Sequence, residues 1–205
     1  MTSDELRNII SGIGEDPERD LIKAALLHLR TSQSSSRTPE KTKFFSKKDE
    51  IIDLSVFAEK NQCWYAIDED NYIGEGAEQR VYLSNDGRHV IKTNDAIFYE
   101  KWEDYLINLL IHNVLFPATS YDLIGFCWKE DVFCAVVRQP FIVSSQPTDL
   151  TLLKIFLESN GFKHKKNNDY YQPDWGILLE DLHDENVLTN ENVFFFIDTV
   201  IYLLP

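Results

Sequence analysis

Hydrophobic residues recur at helical spacing through the first 30 positions of the chain. The recurring positions are Leu6, Ile9, Ile10 and Ile13, then Leu21, Ile22, Ala25, Leu26 and Leu29. Residues three and four apart share one face of an α-helix, so this pattern predicts an N-terminal helical segment over residues 1–30. Residues 31–48 lack the pattern and are rich in serine and lysine, which predicts a flexible linker. The basic residues of this linker are either solvated or in contact with an acidic partner or a nucleic acid.

From residue 49 onward, short apolar segments typical of strands dominate, after one helix predicted over residues 49–60. The predicted strand pairs are 80–84 with 89–92, 121–128 with 132–138, and 187–188 with 194–197. The first pair turns at Asn85-Asp86-Gly87, where Asn and Gly tolerate positive φ. The pattern therefore predicts three antiparallel hairpins.

Two further helices separate these hairpins. Asn94 or Asp95 is predicted to cap the first, which runs to about Asn113. Its predicted buried stripe is Phe98, Trp102, Tyr105, Leu106 and Leu109. Thr148 is predicted to cap the second, over residues 149–160, and Gly161 to end it.

Composition narrows the class of protein. The 205 residues include 20 basic and 34 acidic side chains, for a net charge of −14, which disfavours a general nucleic-acid binder or an anionic-membrane binder. The 43% of apolar residues predicts a folded core, and no apolar run approaches the roughly 20 residues of a membrane span. The N-terminus lacks the basic-then-apolar start of a signal peptide. Because three cysteines without a C-x-x-C pair disfavour a disulfide scaffold, we expect a reduced, cytoplasmic protein.

The first candidate chemistry is a pair of glycines followed by a lysine. Gly74 and Gly76 lie between two predicted strands, and without Cβ atoms they let backbone N–H groups approach phosphate oxygens. A plain hairpin turn explains the same spacing. Lys92 ends the strand that follows. If its ammonium is buried it needs a carboxylate, which Glu100, one turn into the next helix, or else Glu103 supplies; a solvated edge lysine needs none.

The second candidate chemistry lies near the end of the chain. Asp181 and Asn186 are five residues apart, with His183 between them. An Asp that accepts a hydroxyl proton can thus lie beside an Asn carbonyl that binds a divalent cation. A turn rich in Asp and Asn is the alternative. Asp198 closes an apolar strand, and if buried it needs compensation such as a metal ion.

The order of these features is similar to that of the protein kinases. The segment Asp181–Asn186 resembles the kinase catalytic loop Asp-Leu-Lys-Pro-Glu-Asn, and Asp198 follows Asn186 by twelve residues, where the metal-binding Asp of Asp-Phe-Gly belongs. More narrowly, residues 50–201 resemble the kinase-like domain of bacterial polyvalent proteins of phages and conjugative elements. The segments that carry this resemblance are 102–117, 121–126, 138–142 and 160–162.

The resemblance implies an α+β, two-lobed protein-kinase-like fold. An antiparallel N-lobe sheet at about 49–138 would be joined by a hinge at about 139–143 to a much shortened C-lobe at 144–205. It also implies ATP and Mg²⁺ as cofactors. The implied nucleotide-binding residues are Gly74, Gly76, Lys92, Glu100, Gln139 and Phe141. The implied catalytic residues are Asp181, Lys92 and His183, and the implied metal ligands are Asn186 and Asp198.

Several departures from the kinase pattern bear on activity. Leu179-Glu180 replaces the usual His-Arg, no glycine follows Asp198 in the next two positions, and Gln79 replaces the third loop glycine. Only seven residues follow Asp198, so we expect no helical platform for a peptide substrate. The apolar face of residues 21–29 is expected to fill part of the missing lobe.

Three functions fit this sequence. The first is an ATP- and Mg²⁺-dependent phosphotransferase that acts on an unknown protein or small-molecule acceptor. The second is a pseudokinase or nucleotide-binding interaction module without catalysis. The third is an acidic adaptor protein that has only the shape of a kinase.

Overall fold

The computed structural model describes residues 3–11, 20–35, 46–76 and 79–204. The helices are α1 (Ser3–Ser11), α2 (Leu21–Ser35), α3 (Lys47–Lys60), α4 (Trp102–Leu115) and α5 (Leu150–Ser159). The strands are β1 (Tyr72–Glu75), β2 (Gln79–Leu83), β3 (His89–Asn94), β4 (Asp122–Lys129), β5 (Val132–Pro140), β6 (Lys163–His164), β7 (Tyr170–Gln172), β8 (Ile177–Glu180), β9 (Val187–Asn190), β10 (Val193–Phe196) and β11 (Val200–Leu203). All the strand pairs are antiparallel, so the predicted α+β class is confirmed.

The described residues form two compact units. The sheet unit draws on Gly14–Leu110 and Tyr121–Phe141, and the C-terminal unit draws on Met1–Ile13, Ile111–Ser120 and Ile142–Pro205. Among the described residues, no helix is both long enough and apolar enough to cross a membrane.

The sheet unit contains a five-stranded antiparallel sheet in the order β1-β2-β3-β5-β4. The two hairpins predicted here are confirmed. Gly87 takes a positive φ of 63° in the β2–β3 turn, and Glu130 and Asp131 do so at 49° and 66° in the β4–β5 turn. In the β4–β5 turn, positive φ at both central residues matches the right-handed twist of the flanking strands, and in the β2–β3 turn glycine supplies the single positive φ.

The main core of the sheet unit lies where three helices pack on one sheet face. Its buried members include Ile22, Ala25, Leu26 and Leu29 of α2, Leu54 and Phe57 of α3, Trp102, Leu106 and Leu109 of α4, and Leu123, Phe126, Ala135 and Val137 of the sheet. The apolar face of α2 therefore packs in the sheet unit, and the expectation that it fills a gap in the C-terminal part is wrong.

The second helix is longer than its hydrophobic pattern indicates. It continues through Ser35, and in its last turns the Thr31 and Ser34 hydroxyls donate hydrogen bonds of 2.8 Å to the carbonyls of Leu27 and Arg30. Lys47 and Lys48 begin α3, which Ser46 caps. Residues 36–45 of the predicted linker lie outside the described residues, as does Ile13 of the first predicted helix.

The fourth helix begins later than predicted. The side chains of Asn94 and Asp95 accept from the backbone N–H groups of Ala96 and Ile97, which makes local turns instead of a cap. The helix starts at Trp102, whose N–H donates to Glu50 Oε2 over 2.7 Å. Phe98 is consequently exposed, while the rest of the predicted stripe is buried.

Glu50 is a fully buried acid at this junction. Burial raises its pKa from 4.5 to about 7, the hydrogen bond from the Trp102 N–H opposes that rise, and the nearby charge of Glu103 adds to it. Between pH 4.5 and 7 the folded protein thus holds a proton that the unfolded chain releases, so stability falls as pH rises through this window.

We expect Glu50→Gln to be more stable than the wild type above pH 7 and nearly equal to it at pH 4.5. Glutamine keeps an acceptor for the Trp102 N–H without carrying a charge. The size of the Glu50 pKa shift limits the gain in the free energy of unfolding to about 3 kcal/mol at most. Thermal unfolding of both proteins across this pH range measures the difference. Glu158→Gln, an exposed change on α5, is the matched control. A difference between Glu50→Gln and wild type that stays constant with pH contradicts the prediction.

The C-terminal unit contains a four-stranded sheet in the order β11-β8-β7-β6 and the separate hairpin β9-β10. The predicted terminal hairpin is thus confirmed, with its turn at Glu191 and Asn192. Asp149, and not Thr148, caps α5 by accepting from the N–H groups of Thr151 and Leu152.

Candidate functional site

The sheet register brings two of the predicted nucleotide-binding residues to one face. Gly74 pairs with Val81, Val81 with Lys92, and Lys92 with Val137. Directly opposite residues on antiparallel strands point to the same side of a sheet. Gly74 and Lys92 therefore share a face, two strands apart, with Val81 between them.

The glycines at the β1–β2 turn lie in open space. A Cβ atom added at Gly74 or Gly76 would meet no heavy atom within 4 Å among the described residues. The Gly76 N–H donates to the Gln79 carbonyl over 2.8 Å, which closes the turn. Residues 77–78 lie outside the described residues. Close approach of a ligand to this backbone is therefore sterically open.

Lys92 is buried in the middle of the sheet, with only 5% of its surface exposed. Its Nζ lies 5.5 Å from the centroid of the Tyr121 ring, within the range of a cation–π contact. The contact joins residues on β3 and at the start of β4, so spacing along the chain gave no signal for it. The prediction of a solvated edge lysine is wrong, because β2 and β5 flank β3 on both sides.

The carboxylates expected beside Lys92 are placed differently from the prediction. Glu100 lies in the bend before α4 with an exposed side chain, so the prediction that it sits one turn into the helix is wrong. Glu103 accepts from Arg30 Nε of α2 over 2.7 Å. A role for Glu100 at the nucleotide stays a prediction.

The predicted hinge lies at the point where the chain passes from the sheet unit to the C-terminal unit, after Phe141. Gln139 is buried and pairs with Val90 inside β5, which runs to Pro140. Phe141 is exposed, and its N–H donates to the Arg88 carbonyl over 2.8 Å. That N–H is already used in extending the sheet, so adenine pairing through it would require breaking this bond.

In the C-terminal unit, three predicted catalytic-loop residues contact one another. Asn186 Nδ2 donates to Asp181 Oδ2 over 3.0 Å and to the Asp181 carbonyl over 2.9 Å. The Glu185 N–H donates to His183 Nδ1 over 3.2 Å, and His183 Nε2 lies 3.2 Å from Asn186 Nδ2 and 3.4 Å from Asp181 Oδ1. Asp181 adopts φ of 64°, a conformation that Asp and Asn tolerate better than most residues. The loop thus holds an exposed carboxylate in a fixed orientation.

Backbone hydrogen bonds join Asp198 to this loop. The N–H groups of Ile197 and Asp198 both donate to the Asn186 carbonyl, over 2.9 and 3.4 Å. The next side chain, Thr199, is buried, and its Oγ1 has no hydrogen-bond partner among the described residues. Asp181, Asn186 and Asp198 are therefore neighbours in one unit, although 17 positions separate the first from the last.

The donor set fits a hard divalent cation. The amide nitrogen of Asn186 is directed at Asp181, and the backbone N–H of Asp198, which carries the second oxygen donor, bonds to the Asn186 carbonyl. Within the described ranges, no group of three or more His, Cys, Asp and Glu residues is placed to hold a metal ion. Mg²⁺ at nucleotide sites needs only one or two protein carboxylates, with phosphates and water completing its shell.

Asp169 is a contributor that sequence reasoning missed. Its Oδ1 accepts from the Asp181 N–H over 3.4 Å, and the Asn168 carbonyl accepts from the Leu182 N–H over 3.3 Å. The β6–β7 connection therefore supports the loop through hydrogen bonds to the backbone of Asp181 and Leu182. Burial raises the pKa of the adjacent Glu180, and the charges of Asp169 and Asp181 add to that rise.

A known protein family matches most of the chain. Residues 47–205 match the family described as the serine/threonine/tyrosine kinase found in polyvalent proteins. The match covers both candidate clusters, from the glycine turn to Asp198. The chain belongs to this kinase family of polyvalent proteins.

Proposed function

We propose that this protein is an ATP- and Mg²⁺-dependent phosphotransferase that transfers the γ-phosphate to a hydroxyl of a protein or small-molecule acceptor. The observation that carries the proposal is the cluster of Asp181, Asn186 and Asp198. One residue, Asn186, bonds to Asp181 through its amide nitrogen and to the Asp198 N–H through its backbone carbonyl. These bonds link the proposed base to the two proposed metal ligands and so support the proposal.

In this proposal Asp181 orients the acceptor hydroxyl and takes its proton. The hydroxyl oxygen forms its bond to the γ-phosphorus while the bond from that phosphorus to the bridging oxygen of ADP breaks. Asp181 suits this role because it is exposed, and Asn186 and His183 hold its carboxylate in one orientation. His183, whose Nε2 lies beside Asp181 and Asn186, would contact the γ-phosphate from the same loop.

Asn186 and Asp198 would hold Mg²⁺, which when bound neutralises phosphate charge. Lys92 would contact the α- and β-phosphates, and its burial in the sheet limits the number of orientations it can take. The open backbone at Gly74 and Gly76 would cover the phosphates, with Gly74 on the same sheet face as Lys92. Gln139 and Phe141 would border the adenine, and Glu100 would steady Lys92.

A nucleotide-binding module without catalysis is the second candidate. It is favoured by the small number of residues between Asp198 and the next strand, since β11 begins at Val200, which pairs with Glu180 of β8. Strand pairing this close to Asp198 restricts the movement of the Asp198 backbone. The position of Glu100 outside α4 favours the same candidate.

The test that separates the two candidates is Mg²⁺-dependent consumption of ATP. We expect the protein to form ADP, with the labelled γ-phosphate appearing on the protein itself, on an added acceptor or in water. Chelation of the metal should stop it. Binding of ATP without any ADP formation would support the second candidate.

A further inference from the structure

Two cysteines occupy directly opposite positions on neighbouring strands. Cys127 of β4 pairs with Cys134 of β5, and both are free thiols with 6% of their surface exposed. Opposite residues of an antiparallel pair have Cα atoms about 4.5–5.5 Å apart. That spacing lies within the range of about 4.4–6.8 Å found for disulfides, so the backbone is already placed for a bond.

The two thiols have different chemical character. Contact with the Cys134 side chain lowers the pKa of Cys127, burial opposes that effect, and the nearby ammonium of Lys129 adds to it. The same contact, together with burial, raises the pKa of Cys134, whose thiol donates to the Val132 carbonyl. Cys127 is therefore the better nucleophile of the pair, since the thiolate is the reactive form.

A hollow in the sheet surface reaches one member of the pair, Cys134. It measures about 350 Å³ and is lined in part by Cys134, Thr93, Arg80 and Lys129. These residues lie on the sheet face opposite Lys92, because Thr93 follows Lys92 on β3 and alternate residues face opposite sides. The lining also includes Gly76, one of the two glycines proposed to cover the phosphates.

We propose that Cys127 and Cys134 are a reversible oxidation site that forms a cross-strand disulfide with a low-molecular-weight disulfide as the oxidant. The Cys127 thiolate attacks one sulfur of the oxidant, forming a mixed disulfide and releasing one thiolate. Cys134 gives its proton to that thiolate and attacks the Cys127 sulfur, which releases the second half of the oxidant as a thiolate that takes up from water the proton lost by Cys127. Two protein thiols are oxidised and one small disulfide is reduced to two thiols.

The test is incubation of the full chain with oxidised glutathione, followed by a count of free thiols and peptide mapping. We expect the count to fall from three to one, with Cys127 linked to Cys134 and the mass lowered by two hydrogen atoms. Dithiothreitol should restore all three thiols. Cys63→Ser should keep the reaction, whereas Cys127→Ser and Cys134→Ser should lose the intramolecular link.

Two results would overturn the proposal. One is retention of all three thiols at a concentration of oxidant that oxidises a dithiol peptide with the sequence of the β4–β5 hairpin. The other is a stable glutathione adduct, on Cys63 or any other cysteine, without a link between Cys127 and Cys134. Both are read on wild-type protein, so they do not depend on whether a variant folds.

Discussion

Replacing Asp181 with asparagine is expected to abolish phosphate transfer while leaving Mg²⁺-dependent ATP binding intact. An asparagine can still accept the hydrogen bond from Asn186 Nδ2, so the loop should keep its shape. It cannot take a proton from an acceptor hydroxyl, and loss of a general base typically lowers a rate by about 10²–10⁴-fold. The measurement is ADP formation at saturating ATP, with binding followed separately by thermal shift.

Asp184→Asn is the matched control, because Asp184 lies in the same loop with an exposed side chain. We expect that variant to turn over ATP at close to the wild-type rate. If Asp181→Asn kept wild-type turnover, Asp181 would not be the base. If it lost binding as well, its role would be structural.

Removing residues 1–45 is expected to destroy the cooperative fold, although the family match begins only at residue 47. Helix α2 contributes Ile22, Ala25, Leu26 and Leu29 to the main core of the sheet unit. Burial of one large aliphatic side chain stabilises a protein by about 1.5–3 kcal/mol. Losing these buried side chains therefore removes a stabilising free energy comparable with the roughly 5–15 kcal/mol of total stability of a typical domain. Circular dichroism and thermal unfolding of the truncated chain measure the effect.

Two point substitutions in α2 test whether the loss of buried contacts, and not the shortening of the chain, lowers the stability. Leu26→Ala should cost about 2–5 kcal/mol, because it leaves a cavity in a buried position. Leu27→Ala, at a neighbouring position that is 54% exposed, should change stability by no more than about 0.5 kcal/mol. A truncated protein that unfolds cooperatively at the wild-type temperature would show that α2 is dispensable.

The parts of the fold that local pattern determines could be predicted. Hairpin turns depend on the few residues that tolerate positive φ, and so the turn at Gly87 could be placed from the sequence. The buried stripe of α4 follows from a spacing of three and four residues, apart from Phe98. The Asp181–Asn186 contact spans one short loop, so its spacing was informative.

The remaining features depend on contacts between distant residues. The start of α4 is decided by Glu50 of α3, 52 positions away, which accepts from the Trp102 N–H. Thr148 makes no cap because its hydroxyl donates to the Val187 carbonyl over 2.6 Å. Spacing along the chain contains no information about either contact. The same holds for Tyr121 beside Lys92 and for Asp169 beneath Asp181.

The central proposal is that Lys92 and Asp198 are both needed for Mg²⁺-dependent nucleotide binding, and thermal shift with ATP, with and without Mg²⁺, tests it most directly. At about 100 times Kd a ligand adds about 2.7 kcal/mol, enough to raise the Tm of a chain of this size by roughly 5–10 °C. We predict that rise for wild type only when Mg²⁺ is present, and its loss in Lys92→Ala and Asp198→Ala, each compared with its own ligand-free Tm. Identical curves for all three proteins under every condition would contradict the account.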